Sequence, residues 1–451
     1  MLKSRLDWWL ESNSILPTNL FAFRKGMGTM ECLSTFIGKI YHSFNNKEFF
    51  VATFVDIRGA FDCVNISTLI SHLLSLQVPT LFCNILSSLF KHRNLFFSSP
   101  FGATNTRSTF TDLPRGSCLS PILFNVYMSI VEKHLSSRGH QCLIYADDLV
   151  IFTSNKHLNL AIENLNLALK DLSEILTKVS FEIAPEKSKS VIFSRRRYLN
   201  NPDILIDDII IPIVPNVTYL GIILDSKLRW LPHINSLTAF VSRWSNFLRT
   251  ITGTWWGSHP SSLLSIYLSI IRAKLDYGCF LYGSASYTIW KKINKHQTSC
   301  LRTIIGYVRS TSCPAIEALC PPFNIRCRWL AGKFLLKSLS HTDHHIFDTF
   351  YSLYLNWRYV PKSMPVLSVI ANILSVFHQY VMSSDKPPIY EQSYDSLLYS
   401  PPVHLGNLFS ELSSKDLKNM SHCMSIMSLF QIIYPLRLPP LQPSATPSSR
   451  P

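Results

Sequence analysis

Three observations predict an α+β protein. Short runs rich in aromatic and β-branched residues, such as Phe49-Phe-Val-Ala-Thr-Phe-Val55, read as buried strands. Longer stretches with leucines at helical spacing, above all 156–179, read as the helices that cover them. The two best strand signals abut aspartates, at Asp56 and at Asp147-Asp148.

Composition narrows the class further. A chain of 451 residues, 47% of them hydrophobic, is long enough for several domains and is globular over most of its length. The net charge is +15, and most of it lies between Ser226 and Lys337, where fifteen Lys and Arg face only Asp276 and Glu317. That segment also holds six of the nine tryptophans: Trp230, Trp244, Trp255, Trp256, Trp290 and Trp329. Bases interleaved with aromatics suit a phosphate backbone with stacked bases, or a solvated basic surface over a Trp-rich core. Eleven scattered cysteines and no apolar leader point to a reduced, intracellular chain, in the nucleus or cytoplasm. Cys313, Cys320 and Cys327 recur every seven residues and read as buried thiols rather than zinc ligands. No run is long enough for a membrane span.

The elements follow in order. Residues 1–17 read as a helix stopped by Pro17. Phe21-Ala-Phe-Arg-Lys-Gly-Met-Gly28 is a basic, glycine-containing turn in which Arg24 and Lys25 are candidates to cradle a phosphate. A helix through Ile40 precedes the strand 49–57 that carries Asp56, a charge that needs a partner or a metal at the end of so apolar a strand. Gly59-Ala-Phe-Asp-Cys63 turns the chain into helix 64–77, and 81–97 again reads as helix. Leu113-Pro-Arg-Gly-Ser-Cys-Leu-Ser-Pro-Ile-Leu-Phe-Asn125 places Gly116 and Ser117 in a turn before an apolar helix. Small residues there admit a flat partner close to the backbone.

Cys142-Leu-Ile-Tyr-Ala-Asp-Asp-Leu-Val-Ile-Phe152 then reads as a tight hairpin with Asp147 and Asp148 at its tip. Adjacent carboxylates repel unless a cation compensates, although Asp is also an ordinary turn residue. Should the strands carrying Asp56 and Asp147 be sheet neighbours, their carboxylates form an oxygen-rich site suited to two Mg²⁺ and to in-line phosphoryl transfer. After helix 156–179 come Pro185-Glu-Lys-Ser-Lys189, the strand 191–193, the basic run Arg195-Arg-Arg197 and a strand Tyr219–Asp225. The basic helical region begins at Trp230–His233. His341, His344 and His345 read as a surface loop, and the Pro-rich 435–451 as a disordered tail.

Taken together, Phe21–Gly28, Phe54–Asp62, Leu113–Asn125, Tyr145–Asp148, Pro185–Lys189 and Tyr219–Asp225 resemble, in order and spacing, the reverse transcriptase of LINE-type (non-LTR) retrotransposons of the jockey-like group. The resemblance spans about residues 1–335. It implies a right-hand polymerase: partial fingers over 1–48, a palm over 49–225 with an embedded fingers segment, and a helical thumb over 226–337. A helical or linker region, 338–434, precedes the tail. It implies two Mg²⁺ (or Mn²⁺) on Asp56 and Asp147 with support from Asp148, and an RNA template, a DNA primer and dNTPs as partners. Phe61 would be the gate against a ribose 2′-OH, Gly116 and Ser117 would lie under the nucleotide, and Lys187 would be the general acid near the leaving pyrophosphate.

The chain departs from the family pattern at Arg115, where Gln is usual, and at Asp112, where Gly is usual. The fingers strands with basic triphosphate contacts, the endonuclease and a ribonuclease H set are not recognised, as in an element copy cut at both ends. Two functions are therefore expected in competition: RNA-directed DNA polymerase, or a nucleic-acid-binding relic without turnover. An organellar intron-type enzyme is a third reading, opposed by the stretch at Trp230–His233.

Overall fold

The centre of the molecule is a four-stranded antiparallel sheet in the order β4-β5-β1-β6. Its strands are β1 (Phe49–Val55), β4 (Gln141–Tyr145), β5 (Asp148–Asn155) and β6 (Lys189–Phe193). This computed structural model describes residues 2–339 apart from 92, 99–101, 103, 110–112, 115, 198–201, 254–256, 283–286, 308–309, 312–315, 317–319 and 321–322. The expectations for 340–451, the histidine cluster and the tail among them, lie outside the described residues.

β1 is buried on both faces, as its unbroken apolar run requires. Phe50 and Ala52 point to a core shared with α2 (Thr29–Asn45), while Phe49, Val51 and Val55 point to a core shared with α5 (Ser120–Ser137) and α6 (Leu158–Lys178). Phe36 of α2 is the hub of the first core: its ring meets those of Phe50, Phe54, Phe152, Phe193 and Tyr219 edge-on. The buried Thr53 hydroxyl is satisfied across the sheet by Ser190 Oγ at 2.8 Å. Tight packing against helices on both faces leaves this sheet little freedom to shear, a property a catalytic platform needs.

The N-terminal helix α1 (Leu2–Ser12) leads to a segment that extends the sheet edge: Phe21 N donates to Ile144 O and Ile144 N to Asn19 O, at 3.1 and 3.0 Å. Helices α3 (Ile66–Ser75) and α4 (Thr80–Lys91) follow β1. The expected helix over 81–97 stops at Lys91, and its second half is instead the strand β2 (Arg93–Ser98), paired with β3 (Thr104–Thr109). Beyond β6, β7 (Leu205–Ile206) and β8 (Ile209–Ile210) form a small ladder.

The expected strand Tyr219–Asp225 is the turn and second arm of a hairpin. β9 (Asn216–Tyr219) and β10 (Ile222–Asp225) are joined by Leu220-Gly221, both at positive φ. Asp225 ends the hairpin by accepting from Arg229 N and Trp230 N at 2.9 and 2.7 Å, which holds Trp230 at φ 67 before α7 (Leu231–Thr250).

The basic segment is helical, as expected. Helix α8 (Pro260–Ile266) runs through a π-helical turn, Tyr267–Arg272, into α9 (Ala273–Asp276). Helices α10 (Tyr287–Ile305) and α11 (Phe323–Leu339) complete the described chain. Its tryptophans divide: Trp230 and Trp290 are core residues and not free to stack on bases, whereas Trp329 is exposed between Arg326 and Lys333. Cys320 and Cys327 are buried thiols. Among the described residues no helix is long and apolar enough to cross a membrane.

Candidate active site

The sheet register decides which acids meet. β1 pairs antiparallel with β5, Phe54 opposite Val150 and Val55 opposite Leu149. One residue further, Asp56 comes level with Asp148. Side chains alternate along a strand, so Asp56 shares the face of Phe54, and Asp148 that of Val150. β4 and β5 are joined by Ala146-Asp147 alone, Tyr145 pairing with Asp148, and Ala146 takes φ 56 to close so short a turn. Asp147 thus forms the tip, and Asp148 is the first residue of the strand rather than a second tip residue.

Asp148 senses the other two carboxylates. Asp148 is pushed up to about 6 by burial, then by the negative charges of Asp147 and Asp56. Such a cluster is an anionic site built only of hard oxygen donors, the chemistry that suits a divalent cation such as Mg²⁺. As the side chains stand, no group of three acidic, His or Cys side chains among the described residues is already closed to metal-binding distances.

Lys187 stands beside this cluster, its Nζ 3.7 Å from Asp56 Oδ2, and both side chains are exposed to solvent, 65% and 47%. The backbone enforces the proximity. Ala184 N donates to Asp56 O at 2.8 Å, Asp56 N donates to Ser188 Oγ at 3.3 Å, and Arg58 N donates to Glu182 O at 2.9 Å. Arg58 also pairs with Glu186 at 2.9 Å. The loop before β6 is therefore laid against the end of β1.

Phe61 stacks on Phe124 of α5, with ring centroids 4.2 Å apart and planes 15° from parallel. Its carbonyl accepts from Leu113 N at 3.1 Å, which ties the turn after β1 to the segment before α5. In that segment Gly116 has φ +91, where a side chain would be strained, and a Cβ there would meet nothing within 4 Å. Ser117 Oγ accepts from Leu119 N at 3.3 Å, and Ser117 N donates to Pro114 O at 3.2 Å. Arg115 and Asp112 lie outside the described residues.

Arg24 departs from expectation. Its guanidinium forms a bidentate pair with Glu11, both bonds 2.8 Å, and donates to Pro17 O and Leu20 O; its side chain is 9% exposed. It ties α1 to the edge of the sheet and is not available to a phosphate. Lys25 beside it is exposed.

Tyr277 is a residue that local sequence does not reveal. Its hydroxyl donates to Leu220 O, at the β9–β10 turn, at 2.7 Å. Burial, and after it the neighbouring Tyr277, hold the Tyr145 phenol above its ordinary range. Tyr277 thus joins the helical region to the β9–β10 hairpin. Its only advance signal was a tyrosine in a basic segment.

Comparison with known proteins gives three findings. Residues 1–224 match the family described as reverse transcriptase (RNA-dependent DNA polymerase). Among curated proteins, the chain is 26% identical over 314 residues to the probable RNA-directed DNA polymerase from transposon X-element of Drosophila melanogaster (67% of this chain, 34% of that protein). It is 27% identical over 317 residues to the RNA-directed DNA polymerase from mobile element jockey of the same species (68% and 34%). The chain spans about a third of the length of the curated relatives it matches. Among solved structures, telomerase from Candida tropicalis in complex with a telomeric RNA fragment aligns at TM-score 0.38 and 13% identity, over 78% of this chain and 56% of that one. Telomerase from Candida albicans with such a fragment aligns at TM-score 0.37 and 10% identity, over 85% and 57%.

Proposed function

Residues 1–224 of this chain belong to the reverse transcriptase family, of the kind carried by non-LTR retrotransposons, and from that premise we propose that the chain extends a DNA primer on an RNA template with dNTPs. The observation that carries this reading is the register that brings Asp56 level with Asp148, beside Asp147.

In the proposed reaction the primer 3′-OH attacks the α-phosphate of a dNTP. The 3′-O–H bond breaks with its proton passing to solvent, a P–O bond forms, the bond to the bridging oxygen breaks, and pyrophosphate leaves. Asp56 and Asp147, with Asp148 beside them, would hold two Mg²⁺, or Mn²⁺. When bound, these ions supply Lewis-acid stabilisation of the attacking and leaving oxygens. Burial, and after it the charges of Asp147 and Asp56, disfavour the Asp148 carboxylate, which supports a role in drawing a cation to the site. Lys187 is on a loop that the Asp56 backbone anchors, and would give a proton or a positive charge to the leaving pyrophosphate. Phe61, backed on one face by Phe124, would exclude a 2′-OH by contact. Gly116 and Ser117 offer a side-chain-poor turn on which the nucleotide would rest.

The departures at Asp112 and Arg115 favour a second reading, binding of nucleic acid without turnover. Template-directed incorporation of dNTPs by the purified chain separates the two. The polymerase reading requires extension with Mg²⁺ or Mn²⁺ that Asp147→Asn abolishes. Salt-dependent binding to an RNA–DNA duplex with no extension, or extension that Asp147→Asn leaves intact, rejects it. If the chain binds without extending, restoring Gln at position 115 tests whether Arg115 is the cause.

A further inference from the structure

The run Arg195-Arg-Arg197 has no part in the chemistry above, because it follows β6 at the opposite end of the sheet. Asp56 follows the last residue of β1, whereas Phe49, the first residue of β1, lies beneath Arg196. Seven strand residues separate the two ends, roughly 20 Å at strand rise.

At that far end the bases are held in place by neutral groups. The Arg195 guanidinium carbon lies 4.9 Å from the centroid of the Phe44 ring, and that of Arg196 4.9 Å from the Phe49 ring. Arg196 Nη1 also donates to Lys47 O at 3.2 Å and to Lys156 O at 3.1 Å. These bonds draw together three chain segments: the turn before β1, the end of β5 and the end of β6. Lys47, Lys156 and Arg197 are exposed around them. Rings and carbonyls orient the guanidinium groups without neutralising them. No described carboxylate makes an ion pair with any of the five, although Glu48 adjoins Lys47 in sequence. Five like charges gathered on three adjoining segments repel, and an anion with regularly spaced charges relieves that repulsion. Stacked, pre-oriented arginines suit the bidentate geometry of phosphodiester oxygens better than a mobile lysine cluster does.

We propose that Lys47, Lys156, Arg195, Arg196 and Arg197 form a second nucleic-acid-binding surface, which grips the phosphodiester backbone of a strand running outside the catalytic cleft. The proposal concerns binding alone, so it stands or falls apart from the polymerase reading.

The test uses the full chain and two fluorescent probes: a short RNA–DNA duplex, and the same duplex with a long single-stranded RNA extension. The variant Lys156→Glu/Arg197→Glu reverses two charges while keeping both cation–ring contacts. The control Lys170→Glu/Lys178→Glu makes the same charge change on exposed positions of α6. The expected result is a roughly tenfold weaker affinity for the extended probe in the first variant. The slope of log K against log salt should also fall by about two, near one per lost phosphate contact. The control variant and the short duplex should change far less. Crosslinks from 4-thiouridine in the extension should map to the three segments named above. Equal weakening in both variants, an unchanged salt slope, or variant-sensitive binding of phosphatidylserine vesicles with RNA binding intact overturns the proposal.

Discussion

Tyr277 donates its phenolic hydrogen to the carbonyl oxygen of Leu220 at 2.7 Å, joining a helix of the basic region to the turn of the β9–β10 hairpin. The ring also packs against Gly221, where a Cβ would approach its Cε1 to 3.4 Å. Removing the hydroxyl leaves the ring in place and frees the turn. Tyr277→Phe is expected to cost about 1 kcal/mol of stability. It should raise the apparent KM for primer–template while leaving that for dNTP unchanged. Thermal melts and steady-state extension kinetics check both.

Phe61 is backed on one face by Phe124, with ring centroids 4.2 Å apart, and the proposed gate rests on that support. Phe61→Val should admit ribonucleotides, with discrimination against rNTPs falling by a factor of about ten or more, equivalent to at least about 1.4 kcal/mol of differential barrier. Paired single-nucleotide extensions with dNTP and rNTP measure it. Equal loss of both activities would point to a packing role only.

Arg24 is a structural residue in this fold. Arg24→Ala leaves Glu11 partly buried and unpaired, and is expected to destabilise the chain by about 3 kcal/mol. Extension measured below the melting transition should keep its KM for dNTP and template. A raised KM with unchanged stability would return Arg24 to the phosphate-binding role that its sequence context suggested.

His233 links stability to pH. Its Nδ1 accepts from Ile223 N at 3.3 Å, and burial, then Lys274, lower its pKa from the ordinary 6.5 to about 4. The unfolded chain therefore takes up a proton near pH 6.5 that the folded chain refuses until about pH 4. Stability is fully present above 6.5 and falls as pH drops through that window, by up to about 3 kcal/mol from this group. Chemical denaturation from pH 7 to 4 should show a shallower loss in His233→Gln, whatever its absolute stability. His72, also lowered to about 4, adds a parallel decline.

Much of this architecture was legible in the chain because it rests on periodicity. β1 could be read from an unbroken apolar run, the β4–β5 hairpin from two such runs around a three-residue gap, and α6 from leucine spacing. Whether Asp56 could approach Asp147 was conditional on strand adjacency, which no local pattern reveals; β1 and β5 are neighbours, and the register brings Asp56 level with Asp148. β2 was misread as helix because Leu95-Phe96-Phe97 prolongs the apolar content of α4 without a Gly or Pro to mark the break. The β9–β10 turn was hidden because only Gly221 signals it, while Leu220 adopts positive φ under the tertiary hold of Tyr277. Arg24 looked like a phosphate ligand because its true partner, Glu11, belongs to a different element.

The central claim is that Asp56, Asp147 and Asp148 together make a binding site for divalent cations. Its most direct test is a Mn²⁺ titration of the full chain followed by electron paramagnetic resonance, for the wild type and for Asp56→Asn and Asp147→Asn. The account predicts saturable Mn²⁺ binding that Mg²⁺ displaces and that each substitution weakens by roughly tenfold or more, a loss of about 1.4 kcal/mol or more. Binding of equal affinity and stoichiometry in all three proteins would contradict it.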